Sequence, residues 1–234
     1  MIGSLAPARH RGAELLDHPD ADPVTALRSL ADIRRCNRLF GGTSAVLAEL
    51  TPEMRAARAR GAALTVLDVG TGLGDIPAHV RRTGRGMGVE IVTYGMEVTL
   101  SLAVAARSAS GLAVAGDGLA LPFATGSVDV VMCSQVLHHF DERQALQLLG
   151  ELQRVARRRV IVAEIRRSWA AAAGVWLASW ALGFHPVSRQ DGVLSVRRGF
   201  RVHELSAMVQ RATGRRPDAR DRRGFRVTAS WRPA

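Results

Sequence analysis

The chain has 234 residues and a formal charge of +11, and every one of its 32 basic residues is arginine. That length suits one α/β domain with modest additions and a substantial buried core. Cys36 and Cys133 lie far apart, which argues against a disulfide framework or a cysteine-based metal site and fits a reducing cytoplasm; the first residues carry no continuous apolar core of the secretory-signal kind.

A basic surface attracts phosphate, and the arginine surplus is concentrated late, from Arg211 to Arg232. Aromatic residues make up only 5%, and no basic stretch is interleaved with stacking aromatics, so a solvated surface is favoured over specific nucleic-acid binding.

Helices are expected first, around Pro23–Ile33 and Thr43–Glu49, forming an N-terminal cap within residues 1–60. From residue 61 apolar strands alternate with amphipathic helices, the pattern of a parallel sheet covered on both faces. Strands are predicted at Leu64–Val69, Val89–Tyr94, Ala113–Gly116, Ser127–Ser134 and Val160–Glu164. Helices are predicted at Pro77–Arg82, Thr99–Ser108 and Asp141–Ala156. Trp169–Phe184 is a run of 16 residues without a charge, about 24 Å long as a helix and short of a bilayer's roughly 30 Å. A buried helix or homodimer contact is its first reading, with a wall of a substrate pocket or membrane-surface attachment as the others. A polar segment around 185–203 follows, and Arg220–Trp231 is expected to close the chain as a strand pair.

The most informative stretch is Leu64-Thr-Val-Leu-Asp68-Val-Gly70-Thr71-Gly72-Leu-Gly74-Asp75. Glycines at alternate positions after an apolar strand let the backbone turn tightly and approach a ligand, beside the free N–H groups of the next helix. A G-x-G-x-x-G dinucleotide turn would want Gly or Ala where Asp75 stands, which argues against NAD and FAD. Further on, Asp117 and Gly118 follow a strand, Leu119-Ala-Leu-Pro122-Phe123 makes a turn, and Ser127-Val-Asp129 leads into the strand ending at Ser134.

Together these segments resemble the class I S-adenosylmethionine (SAM) methyltransferases over residues 62–165. The resemblance implies a doubly wound, Rossmann-like, seven-stranded and mostly parallel α/β sheet over 61–234, with an apolar helix and polar substrate segment inserted around 166–203. It implies SAM as cofactor, held by Asp68, Gly70, Thr71, Gly72 and Gly74, with adenine against Asp117, Gly118 and Leu119 and with Ser134 at the fourth strand's end. Methyltransferases most often carry a ribose-binding acid at the end of the second strand. Gly95 is expected at that position here, and Glu97 is the nearest substitute. Ser134–Phe140, Arg166–Ser168 and His185–Phe200 further resemble a bacterial small-molecule subgroup found among secondary-metabolite and polyketide genes, in which Gly199 stands where an alanine is usual.

SAM carries an activated methyl, so the protein has to align a nucleophile and manage one proton. A phenol, with a pKa of about 10, gains from a base near 6.5, the range of histidine. His138 and His139 follow the fourth strand, and His139 is slightly preferred as catalytic. Arg198 and His185 are candidates for substrate binding, since an arginine fork can clamp a carboxylate or phenolate. No metal is expected. The leading reading is O-methylation of a small, largely apolar hydroxylated metabolite in the cytoplasm, without a transmembrane span. An RNA methyltransferase and a non-catalytic SAM-fold binding protein are the alternatives.

Overall fold

The computed structural model describes residues 6–15 and 22–233. Seven strands form one sheet: β1 (Leu64–Val69), β2 (Ile91–Glu97), β3 (Leu112–Ala115), β4 (Val128–Ser134), β5 (Ala156–Ile165), β6 (Asp218–Arg222) and β7 (Arg226–Trp231). Their order is β3-β2-β1-β4-β5-β7-β6, parallel from β3 through β5, with β7 antiparallel to both of its neighbours. The sheet is therefore of the expected doubly wound type, and the terminal pair expected at Arg220–Trp231 is the β6–β7 hairpin.

Alternation along the strands sorts the core into two layers. Val66, Val130, Met132, Ile161 and Ala163 face α2 (Gly42–Ala59) and α3 (Asp75–Gly86), meeting Val46, Leu50, Met54, Ile76 and Val80. Leu67, Val131, Cys133, Val160 and Val162 face the other way, onto α5 (Glu142–Val155) and α8 (Val202–Thr213), where Leu148, Leu152, Leu205 and Val209 are buried. Asp141 starts α5 with a reciprocal cap: its carboxylate accepts the Gln144 N–H at 2.8 Å while the Gln144 side chain accepts the Asp141 N–H.

Several elements differ from the sequence-based expectation. The second strand runs three residues past Tyr94, so Gly95 lies inside it, paired with Asp68, and Glu97 is its last residue. A Cβ at Gly95 would stand 2.6 Å from that of Ser110 at the end of α4 (Leu100–Ser110); the glycine serves packing rather than ribose recognition. The second N-terminal helix covers one face of the sheet. It is α1 (Pro23–Leu39) that lies near the strands' C-terminal ends and lines the cavity there.

The insertion folds as two packed helices, α6 (Trp169–Ala181) and α7 (Pro186–Arg198). They rejoin the sheet where Phe200 N–H donates to Ile165 O at 2.9 Å. Gly199 sits at that crossing, where a Cβ would strike the Ile165 carbonyl, so the backbone passes too close for the alanine of the resembling pattern. No described helix is long and apolar enough to cross a membrane.

Candidate functional site

A cavity of about 790 Å³ opens where the strands end, bounded by the β1–α3 turn, the β2 and β4 exits, α1 and the α6–α7 pair. In open α/β sheets ligands bind outside the carboxyl ends of the strands. Asp68, Gly70, Thr71, Gly72, Glu97, Gly118 and Ser134 all line it. Gly72 has a φ of 59°, and a Cβ there would project into open space with Leu30 its nearest neighbour at 3.6 Å, so the turn presents bare backbone to the cavity. Gly74 does not line it. A Cβ there would meet the Ser110 N at 2.7 Å, and this glycine lets α3 start close against α4.

The acids around the turn are buried. Asp68 accepts from the Thr71 hydroxyl at 3.0 Å through one oxygen, while its Oδ1 has no hydrogen-bond partner; burial pushes its carboxyl up to about 8. Glu97 accepts the Gly72 N–H, and burial raises its carboxyl against that bond. The Ser134 hydroxyl is likewise buried and unpartnered. Asp117, by contrast, is exposed and turns back to accept the Leu119 N–H at 2.8 Å; neither residue lines the cavity, although Gly116 and Gly118 do.

Past β4 the chain turns through Gln135, a non-glycine residue at φ 59°, into a short 3-10 helix, Leu137–His139. The unusual backbone is held by its side chain: Gln135 Oε1 accepts from buried Arg226 at 2.6 Å, and its amide nitrogen donates to Asn37 of α1. His138 is buried, and its Nδ1 lies 2.7 Å from Glu164 Oε2 near the end of β5. Glu164 Oε1 accepts the Leu137 N–H at 2.8 Å. Burial pushes the Glu164 carboxyl up, but His138 beside it prevails and holds it below the usual carboxylate range. The His138 Nε2 has no hydrogen-bond partner and lies 3.6 Å from Glu14 Oε1. His139 is exposed, lines the cavity and stacks on His138 with ring centroids 4.3 Å apart.

Arg198 and His185 stand elsewhere than a substrate clamp requires, and neither lines the cavity. The Arg198 side chain is buried behind the histidines; it donates to the His138 carbonyl at 3.0 Å and pairs with Glu14 at 3.3 Å. His185 precedes α7, with its N–H on Asp32 at 3.0 Å. Donor atoms of Glu14, His138 and His139 lie within 4.8 Å of one another, near enough to share an ion, but a cation there would have to share Glu14 with Arg198.

The sequence reading missed Glu164 and Glu14. The first carried a signal, being the one acid of an otherwise apolar and basic strand, placed at its C-terminal half. Glu14 carried none, since its meeting with His138 joins positions 124 residues apart in different parts of the fold.

Residues 67–163 match the family model of the methyltransferase domain. No curated protein matches the chain. Magnesium protoporphyrin IX methyltransferase from Synechocystis PCC 6803, solved with bound SAH, is similar at 17% identity and a TM-score of 0.51, over 82% of this chain and 84% of that one. A SAM-dependent methyltransferase from Aquifex aeolicus reaches 0.52 at 16% identity, over 73% and 82%. A candidate O-methyltransferase from Nostoc punctiforme PCC 73102 reaches 0.58 at 16%, over 94% of this chain and 64% of its own. At such identities the likeness is one of fold. With the domain match across the strands that carry the glycine turn and the Asp117 segment, residues 67–163 form a methyltransferase domain, and SAM is its cofactor. The site suits that group: bare backbone at Gly72, a buried acid with an unpartnered oxygen at Asp68, and a second acid closing β2.

Proposed function

We propose that the protein methylates a small, largely apolar hydroxylated metabolite at oxygen, with His138 as the base and Glu164 as its positioning partner. The observation that carries this reading is that His138, paired with buried Glu164, lines the same cavity as the glycine turn. Val136, Phe140, Ile165, Val175 and Phe184 supply apolar wall beside it. An apolar pocket with a few convergent polar groups is the form a small-molecule site takes.

When bound, SAM supplies a methyl already activated on a sulfonium. The chain's own residues do the rest. Glu164 accepts from Nδ1–H and so fixes the tautomer in which His138 Nε2 carries the free lone pair. That nitrogen takes the acceptor's proton, and the resulting imidazolium lies between Glu164 and Glu14. The geometry favours His138 over His139 for this step, because the second ring covers the first rather than sharing its carboxylate. Likeness of 185–200 to the secondary-metabolite subgroup supports the same substrate class.

Incubating the protein with methyl-labelled SAM and a metabolite extract, followed by mass detection, tests the reading. A labelled, apolar, O-methylated product is expected. Label found only in RNA, or no transfer to any small molecule by a SAM-binding protein, would reject it.

A further inference from the structure

Helix α6 is turned inside out for a water-soluble fold. Its buried positions are Ala171, Ala172 and Ser179, while Trp169, Trp176 and Trp180 are 56%, 51% and 58% exposed and Leu177 is 60% exposed. At about 100° per residue the three tryptophans fall within roughly 40° of arc, one outward stripe along the helix. A helix whose only task is to cover the core places its largest apolar side chains inward. Here the small ones pack on Val193 and Val196 of α7, and the large ones face away.

The surroundings are basic. The Arg189 guanidinium lies 3.9 Å over the Trp180 ring, which meets Trp176 edge-on at 6.4 Å. On the other side of α7, bonded to it through Ser29–Ser188 at 3.1 Å and Asp32–His185, α1 exposes Val24, Leu27, Ile33 and Leu39 together with Arg28, Arg34, Arg35 and Arg38. The one acid within that helix, Asp32, is buried and pairs with Arg35 at 3.7 Å, and the capping Asp22 is exposed, so the four arginines leave the helix a basic surplus. Arg35 stacks over Phe184, which joins the two elements. Both helices also line the cavity, α1 through Leu30 and Ile33 and α6 through Gly174 and Val175, so the apolar and basic surfaces flank its mouth.

We infer that this rim docks on an anionic lipid surface, with the tryptophan stripe seated among the headgroups and the α1 arginines on lipid phosphates. Charge decides between the two occupants an aromatic face suits. A second copy meeting this face across a two-fold axis would set two arginine frames of a +11 chain against each other, whereas an anionic bilayer complements them. Tryptophan at the water boundary with arginine beside it is the composition of helices that lie in a membrane interface. The consequence is a route for the acceptor: an apolar substrate dissolved in the bilayer can reach the cavity without crossing water. This inference is independent of which atom receives the methyl.

Co-sedimentation of the full chain with phosphatidylcholine vesicles, with and without phosphatidylglycerol, tests it alongside sedimentation velocity in the absence of lipid. Binding to the anionic vesicles is expected, with a blue shift of tryptophan emission and weakening in high salt. The double variant Trp176→Ser, Trp180→Ser should lose at least tenfold in partitioning, as should Arg34→Glu, Arg35→Glu, each with SAM affinity unchanged. Should the double tryptophan variant fail to hold SAM, Leu177→Glu supplies the comparison on the same face. Absence of partitioning, or partitioning that these substitutions leave intact, overturns the inference. A lipid-independent dimer that the tryptophan substitutions dissociate, without vesicle binding, assigns the face to a second copy instead.

Discussion

If the glycine turn holds SAM, as the resemblance implies, Asp68 should make cofactor binding a proton-linked event. Its carboxyl is buried at the end of β1 with Oδ1 unpartnered, and burial holds its pKa at about 8, so the free protein at pH 7 carries it mostly protonated. The ammonium of SAM's methionine end, placed at the glycine turn, would favour the charged form. Binding then releases a proton, and affinity must rise with pH. With a free-state pKa of about 8 and an ionised bound state, SAM should bind about ninefold more tightly at pH 7 than at pH 6, or about 1.3 kcal/mol. SAM's own amine, near 7.8, is still mostly charged at pH 7 and trims the gain only to about eightfold. Calorimetry at pH 7 in two buffers of different ionisation enthalpy should report a net release of about 0.8 proton. Asp68→Asn should flatten the dependence between pH 6 and 7 and weaken binding at pH 7 by about 1–3 kcal/mol, the range for a hydrogen bond to a charged group. Equal affinity at the two pH values, with no buffer dependence, would refute the argument and leave Asp68 a structural acid.

Glu164→Gln should lower turnover by about 10²–10⁴-fold while SAM affinity holds, because one amide oxygen cannot serve both the Leu137 N–H and His138 Nδ1–H. Nitrogen-15 shifts of His138 should report the flipped tautomer, and an unflipped ring would remove the explanation. Glu97→Gln should weaken SAM by about 1–3 kcal/mol in titration calorimetry, since Glu97 ends β2 beside the glycine turn; unchanged affinity would reduce it to a brace for the Gly72 N–H. Glu49 of α2 accepts from Arg222, Thr228 and Ser230. Burial raises its carboxyl, but those bonds prevail and hold it below the usual range. A depressed folded-state pKa gives stability that is complete above the unfolded value, near 4.3, and is lost as pH falls through the folded one. Glu49→Gln should therefore cost about 1–3 kcal/mol at pH 7 in urea unfolding and less in strong acid; a cost that stays constant down to strong acid would deny the linkage.

The parallel half of the sheet was legible because its strands are apolar runs ended by glycines or acids, a signal local to each segment. Boundaries slipped where tertiary packing decides them. Nothing local says that Gly95 continues a strand; Ser110 and Thr71 crowding its Cβ position say so, and with the strand extended Glu97 becomes the terminal acid that looked misplaced. The polar segment around 185–203 gave no helical period because α7 is covered on more than one side, burying Ser188, Asp191 and Arg198 along with Val196.

The candidate site divides along the same line. The glycine turn could be read because its pattern is carried by consecutive residues. The buried cluster around His138 could not, since it joins Glu14, His138, Glu164 and Arg198 from four separate segments, and only the fold sets these groups side by side. Arg198 shows the cost of reading residue type alone. A buried guanidinium beside a buried carboxylate is most useful as a counter-charge, and Arg198 balances Glu14 while gripping the backbone of the histidine that Glu164 contacts. The arginine expected to hold substrate instead holds the backbone of His138, the residue proposed as the base.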